Sequence, residues 1–98
     1  MSKDNIIVGI DVGSANIRTV IAQSFSDVEI PRIIGVGTVP SSGIRRGVIS
    51  DVEEVVKNVN ESVEKAERMA GFTVKNANIN IGGTEINFQN SKGVIAVG

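Results

Sequence analysis

The stretch Ile6-Ile-Val-Gly-Ile-Asp-Val-Gly-Ser-Ala-Asn-Ile-Arg-Thr-Val-Ile-Ala22 decides the fold. Its first five residues are apolar or Gly, β-branched at four positions and without alternation, which predicts a central strand covered on both faces. Asp11 to Asn16 supplies turn formers. After it Ile17, Thr19 and Ile21 alternate with Arg18, Val20 and Ala22, so a second strand returns along the first as a hairpin.

Working outward, Pro31 opens a third apolar run, Ile33 to Val39, ending at Pro40. Proline suits the first residue of a strand, where no N–H has to be donated. Residues 41–50 read as a loop by composition. Next, Val52, Val55, Val56, Val59, Val63, Ala66 and Ala70 fall on one stripe at steps of three and four, predicting a helix over about 51–70. Ser50 with Glu53 forms a capping-box pattern, Glu53/Lys57, Glu61/Lys65 and Glu64/Arg68 are pairs of favourable order, and Gly71 suits the left-handed position beyond the helix. A stripe so rich in Val, a mediocre helix former, requires packing against a sheet to outweigh local propensity. Ala77, Ile79 and Ile81 then alternate with Asn78 and Asn80, a strand returning by a right-handed parallel crossover. Thr84, Ile86 and Phe88 alternate with Glu85, Asn87 and Gln89, a turn covers 90–93, and a further run, Val94 to Val97, stops at Gly98 in mid-pattern, which reads as truncation.

Composition narrows function. The chain has 98 residues, 10 Lys plus Arg, 11 Asp plus Glu, no His and no Cys, for a net charge of −1. Without a basic surplus it cannot neutralise a run of phosphates, and Phe25, Phe72 and Phe88 are too few and too scattered for a base-stacking platform, so nucleic acid is not an expected partner. The missing His and Cys remove the common zinc sites, disulfide frameworks, thiol nucleophiles and any Ser/His/Asp arrangement. The apolar run before Asp11 is too short for a signal peptide or a membrane span, which makes the cytoplasm the default compartment.

The candidate chemistry lies in the turn Asp11-Val-Gly-Ser-Ala-Asn16. Gly13 can take positive φ and admit a ligand close to the backbone, letting successive N–H groups converge on phosphate oxygens, with Ser14 and Asn16 adding short polar donors. Asp11 would repel a bare phosphate, so a carboxylate there requires a cation between the two. Mg²⁺ held by one carboxylate, waters and phosphates is such a cation. The competing reading is a plain hairpin turn, for which Asp, Gly, Ser and Asn are ordinary residues, and spacing alone favours it. Gly35-Val-Gly37 opens like a dinucleotide fingerprint, but Pro40 and the lack of a following helix make small residues in a packed strand the better reading. Arg45-Arg46 reads as solvated surface, Asp51 and the Glu-rich helix face as capping and solubility, and Gly82-Gly83 either as a close-approach site or as a strand end.

The order strand, Asp-x-Gly-Ser turn, strand, strand, helix, strand resembles the opening of the actin, Hsp70 and sugar-kinase superfamily. Its first turn is a phosphate-binding loop, and this raises the phosphate reading above the plain hairpin. Ile33-Ile-Gly-Val-Gly37, Ser42-Gly-Ile-Arg-Arg-Gly-Val-Ile-Ser-Asp51 and Val63-Glu-Lys-Ala-Glu-Arg-Met-Ala-Gly71 are similar to the bacterial cell-division family FtsA, over nearly all the chain. Lys is more usual in that family at the position of Asn16, and Ser-Gly at Gly82-Gly83. The resemblance implies an α/β, actin-like (ribonuclease H-like) fold in β-β-β-α-β order, with 1–83 the first part of subdomain 1A and 84–98 the truncated first strands of the inserted subdomain 1C. It implies ATP and Mg as ligands, Asp11, Gly13, Ser14, Ala15 and Asn16 as the residues that bind them, with Asp11 reaching Mg through water, and at most a weak ATPase. In the full-length parent it implies self-association, tethering of FtsZ, and attachment to the inner face of the membrane at the division site by a C-terminal helix not present in this sequence. A PilM-like pilus-assembly scaffold and a small-molecule kinase of the same superfamily are the alternatives.

Overall fold

The computed structural model describes residues 5–25, 30–46, 48–81, 84–91 and 94–97. Strand β1, Asn5–Val12, and strand β2, Asn16–Ser24, form the expected hairpin, in register from Asn5 opposite Ser24 to Val12 opposite Ile17. Strand β3, Arg32–Pro40, adds antiparallel to β2, with one irregularity between Ile21 and Ala22. Helix α1, Val52–Ala70, then carries the chain over the sheet to strand β6, Asn76–Ile81, which lies parallel to β1 on the side away from β2. These elements reproduce the β-β-β-α-β order of an actin-like subdomain start. Strands β7, Thr84–Ser91, and β8, Val94–Val97, extend the same sheet, giving the strand order β3-β2-β1-β6-β7-β8. Gly82 and Gly83, where the two-subdomain division was expected, lie outside the described residues, as does the second reading of that pair as a close-approach site.

The core is the layer between α1 and one face of the sheet. Val8, Ile10 and Val12 of β1, Ile17 and Ile21 of β2, and Ile79 of β6 meet Val55, Val59, Val63 and Ala66 of the helix, all buried. The helix approaches β3 so closely that a Cβ on Gly35 would collide with the Ala66 carbonyl, and one on Gly37 with the Ser62 carbonyl. This confirms Gly35 and Gly37 as packing residues rather than a dinucleotide fingerprint. One polar pair sits inside the layer. Ser62 Oγ donates to the Val59 carbonyl at 2.9 Å, which uses its single proton, so the Thr19 hydroxyl 2.7 Å away is the donor in their mutual bond.

Three expectations are corrected here. First, β1 is covered on one face only: Val8, Ile10 and Val12 are buried while Gly9 and Asp11 are exposed and Ile7 retains 50% exposure. The unbroken apolar run hid an alternation, because Ile7 and Gly9 count as apolar or neutral on either face. Second, residues 41–50 are not all loop. Ile44–Arg45 and Val48–Ile49 pair as a short hairpin, β4 and β5, with Ile44 buried. Third, of the two capping readings, Asp51 caps the helix as expected, and the Ser50 capping-box pattern does not form the cap. Asp51 has extended backbone and its Oδ1 accepts the Glu54 N–H at 3.2 Å. Ser50 instead joins Asp51 in donating to the Gly43 carbonyl, at 2.8 and 3.1 Å from the two backbone nitrogens. Of the predicted stripe, Val52 stands 62% exposed, because the helix starts before the sheet begins to cover it, its first buried residue being Val55. At the other end Gly71 is left-handed as expected, with φ 67° and its N–H on the Glu67 carbonyl. Among the described residues no helix is long and apolar enough to cross a membrane.

Candidate functional site

Strand parity determines what faces the candidate turn. Asp11 is the penultimate residue of β1, and since its neighbours Ile10 and Val12 point into the core, its carboxylate projects from the open face of the sheet. The register places Arg18 of β2 directly opposite Asp11 on one side and Asn80 of β6 on the other. All three are exposed, so a basic, an acidic and an amide side chain form one row across three strands at the end of the sheet where β1 enters the turn. Below this row a shallow groove of about 400 Å³ runs down the same face, lined by Ile7, Gly9, Val20 and Asn78 together with the row.

The turn itself is held from two directions. The Gly13 N–H donates to the Asn16 carbonyl at 3.0 Å, closing the turn on itself, and the Ser41 N–H donates to the Ala15 carbonyl at 3.0 Å, tying it to the segment after β3. Ser14, Ala15 and Asn16 are exposed and Gly13 half-exposed. Here the sequence reading needs a correction: among the described residues the left-handed glycine is Gly71, and Gly13 does not have positive φ. Gly13 is needed for room instead. A Cβ there would stand 3.2 Å from the Asn16 carbonyl oxygen, tighter than an ordinary contact, in a turn that the hydrogen bonds do not allow to spread. Its own N–H is engaged within the turn, so any cradle for an anion has to be built from groups that follow it.

The segment that anchors Ser41 is anchored in turn to the helix. Ser42 donates its N–H to Asn58 Oδ1 at 3.0 Å and its hydroxyl to Glu54 Oε1 at 2.7 Å. Asn58 is buried, so the first turns of α1, the 41–43 segment and the β1–β2 turn form one hydrogen-bonded chain. That chain makes the turn a preorganised feature rather than a free loop tip.

Chemically, the row places a guanidinium and a carboxylate side by side on the surface next to exposed backbone. Among the described residues no group of three or more His, Cys, Asp or Glu side chains converges. A divalent ion at Asp11 would therefore complete its shell with water and with oxygens of a bound anion, which is how Mg²⁺ is commonly held beside phosphates. The residues present fit that role. Arg18 and Asn80 were not among the residues expected at the site. A signal for them existed: Arg18 alternates with the core residues Ile17 and Thr19, and Asn80 with Ile79 and Ile81, which assigns both to the face opposite the core, where Asp11 is found. What periodicity could not supply was the register that sets the three at one level.

No family model matches the chain. Curated relatives do. It is 36% identical over 97 residues, 99% of its length, to the cell division protein FtsA of Bacillus subtilis. It is 34% identical over 93 residues to that of Borreliella burgdorferi, and 32% identical over 92 residues to that of Escherichia coli K12, covering 95% and 94% of the chain. In each case the match spans 22% of the relative's length. Taken with the β-β-β-α-β order and the Asp11 turn, these matches show that over its described elements the chain belongs to the actin-like FtsA family of cell-division proteins.

Proposed function

We propose that the chain carries the first phosphate-binding turn of an ATP- and Mg-binding, actin-like cell-division protein. The parent self-associates on the inner face of the cell membrane and tethers FtsZ there at the division site. The observation that carries this reading is Asp11 beside the doubly anchored turn 13–16. A carboxylate on the open face, next to a turn held by the Gly13–Asn16 and Ala15–Ser41 bonds, is a suitable place for a hydrated cation bridging to phosphate. Ser14, Ala15 and Asn16 present exposed groups to the same ligand, and Arg18 adds a positive charge at the level of Asp11. On this reading 84–98 opens the inserted subdomain, and the remaining walls of the nucleotide pocket belong to the rest of the parent. The pilus-scaffold and kinase alternatives share the Asp11 turn, but the relatives named above favour neither.

The test is nucleotide affinity of the full-length parent with and without Mg²⁺. Asp11→Asn keeps size and turn propensity while removing the charge, so it should weaken Mg-ATP more than metal-free ATP and leave the melting temperature unchanged. Unchanged Mg-ATP affinity in Asp11→Asn, measured by calorimetry on folded protein, would remove the phosphate-turn assignment.

A further inference from the structure

Six side chains of α1 are buried against the sheet, and two of them are polar, Asn58 and Ser62. Ser62 is satisfied within the core by Thr19 and the Val59 carbonyl. Asn58, 6% exposed beside Val59, finds its partners elsewhere. An aliphatic side chain there would extend the Val stripe, whereas burying an amide costs free energy that only well-made hydrogen bonds offset. What the amide returns is direction: its Oδ1 accepts the Ser42 N–H at 3.0 Å, from 16 positions earlier in the chain, while its Nδ2 reaches Glu61 at 3.5 Å.

Residues 41 to 43 each hold a different element through the backbone. The Ser41 N–H donates to the Ala15 carbonyl of the β1–β2 turn at 3.0 Å, and the Ser42 N–H to Asn58 of α1. The Gly43 carbonyl accepts the Ser50 and Asp51 N–H groups at 2.8 and 3.1 Å, and a Cβ on Gly43 would collide with the Asp51 carbonyl and the Val55 nitrogen. The Ser42 bond stands in the middle, one peptide unit from the bond to the turn, too short a link to absorb a slip. The Gly13 N–H on the Asn16 carbonyl sets only the turn's internal shape. We infer that Asn58 is a positioning residue for the turn 13–16: through Ser42 and Ser41 it fixes where the turn's exposed groups stand, without touching the ligand. This rests on the phosphate-binding reading of the turn and adds to it a residue from the closed side of the sheet. Asn58 and Asp11 then control different things. Asp11 supplies charge to a cation, so its loss falls mainly on Mg-ATP. Asn58 supplies geometry to groups that phosphate oxygens meet with or without metal, so its loss weakens ATP and Mg-ATP by the same factor.

The test compares Asn58→Ala with Ser62→Ala in the full-length parent. Both truncate a buried polar side chain on the same helix face, one turn apart, and only the first breaks a bond to 41–43. Residue-resolved hydrogen exchange without nucleotide, at equal distance below each melting temperature, should show the Ser41 amide exchanging several-fold faster in Asn58→Ala than in Ser62→Ala. Calorimetry should find ATP and Mg-ATP both several-fold weaker in Asn58→Ala and unchanged in Ser62→Ala. Ser42→Ala loses the hydroxyl's bonds to Glu54 and Asn58 but keeps its N–H on Asn58, so it should match the unsubstituted protein in both measurements. The unsubstituted parent provides a reading that depends on no variant folding: release of Ser42 must free Ser41, so the Ser41 amide should be protected no better than that of Ser42. A better-protected Ser41, or equal Ser41 exchange in Asn58→Ala and Ser62→Ala, would overturn the inference. So would faster exchange with undiminished ATP affinity, or a loss confined to Mg-ATP. Unchanged Mg-ATP affinity in Asp11→Asn removes the phosphate reading instead, and Ser41 exchange still reports whether Asn58 holds the turn.

Discussion

The two faces of the sheet formed by β1, β2, β3 and β6 have opposite characters. On the helix side every position is spoken for: Gly35 and Gly37 have no room for a methyl group, and the buried Thr19 and Ser62 hydroxyls satisfy each other and the Val59 carbonyl. On the other side Gly9 has nothing within 4 Å of where its Cβ would be, and Asp11, Arg18 and Asn80 stand in solvent. Alternation along a strand gives each face its own residue set, so one sheet can be a close-packed wall on one side and a polar working surface on the other. Stability should be concentrated in the first face and ligand chemistry in the second, and substitutions can test that separation.

The largest effect should come from Gly37→Val. Its side chain must displace the Ser62 carbonyl, and the Ala66 nitrogen lies only 2.8 Å from the Cβ position, so helix and strand have to part along their tightest contact. Overpacking a rigid interior of this kind should cost ~3 kcal/mol or more, a large share of a small domain's total stability. Circular dichroism and a urea melt should find the variant largely unfolded. A cooperative transition near that of the parent would mean that α1 does not sit on β3 as described.

How much of this contrast is legible in the residues depends on how local each determinant is. The helix, its left-handed stop at Gly71, the alternation of β2 and the packing role of Gly35 and Gly37 depend on periodicity or on residue size, and all four were readable. The candidate site was legible at Asp11 and the turn but not at Arg18 or Asn80, which join it through cross-strand register. The β4–β5 hairpin escaped because two-residue strands are too short to show a period. The cap goes to Asp51 because the Gly43 carbonyl accepts from the backbone N–H groups of Ser50 and Asp51 and from the Ser50 hydroxyl, which fixes where the helix starts, and that contact forms only when the chain has turned back on itself. Gly13 was assigned positive φ by analogy with turns in general, whereas the actual demand is clearance from the Asn16 carbonyl.

The next effect in size concerns the polar pair inside the closed face. Ser62→Ala leaves the Thr19 hydroxyl buried without its acceptor and should destabilise by about 1–3 kcal/mol. Thr19→Val should cost less, because Ser62 keeps its bond to the Val59 carbonyl. Once one partner is gone, removing the other has little left to break, so the double variant should fall well short of the sum, with a coupling of ~1 kcal/mol. Chemical denaturation of the four proteins measures this coupling directly. Strict additivity would show that the two hydroxyls do not interact and that the closed face is less exacting than its geometry indicates.

The smallest effect, and the one that most sharpens the comparison, is at Gly9. Alanine there meets no heavy atom within 4 Å and sits in extended β1, whose backbone any residue adopts. The change removes freedom mainly from the unfolded chain, so Gly9→Ala should stabilise the 98-residue chain by about 0.4–1 kcal/mol, against the steep loss at Gly37, two strands away in the sheet and on the other face. The same substitution in the longer parent is informative because its sign can reverse. If a further layer of the parent rests on the open face, the added methyl group will press into it, and the gain seen in the short chain will become a loss. If the face stays open to solvent and ligand, the gain will persist in both. A destabilised Gly9→Ala in the short chain itself would mean that the face described as open is already occupied, and the division of labour between the two faces would fail at its simplest point.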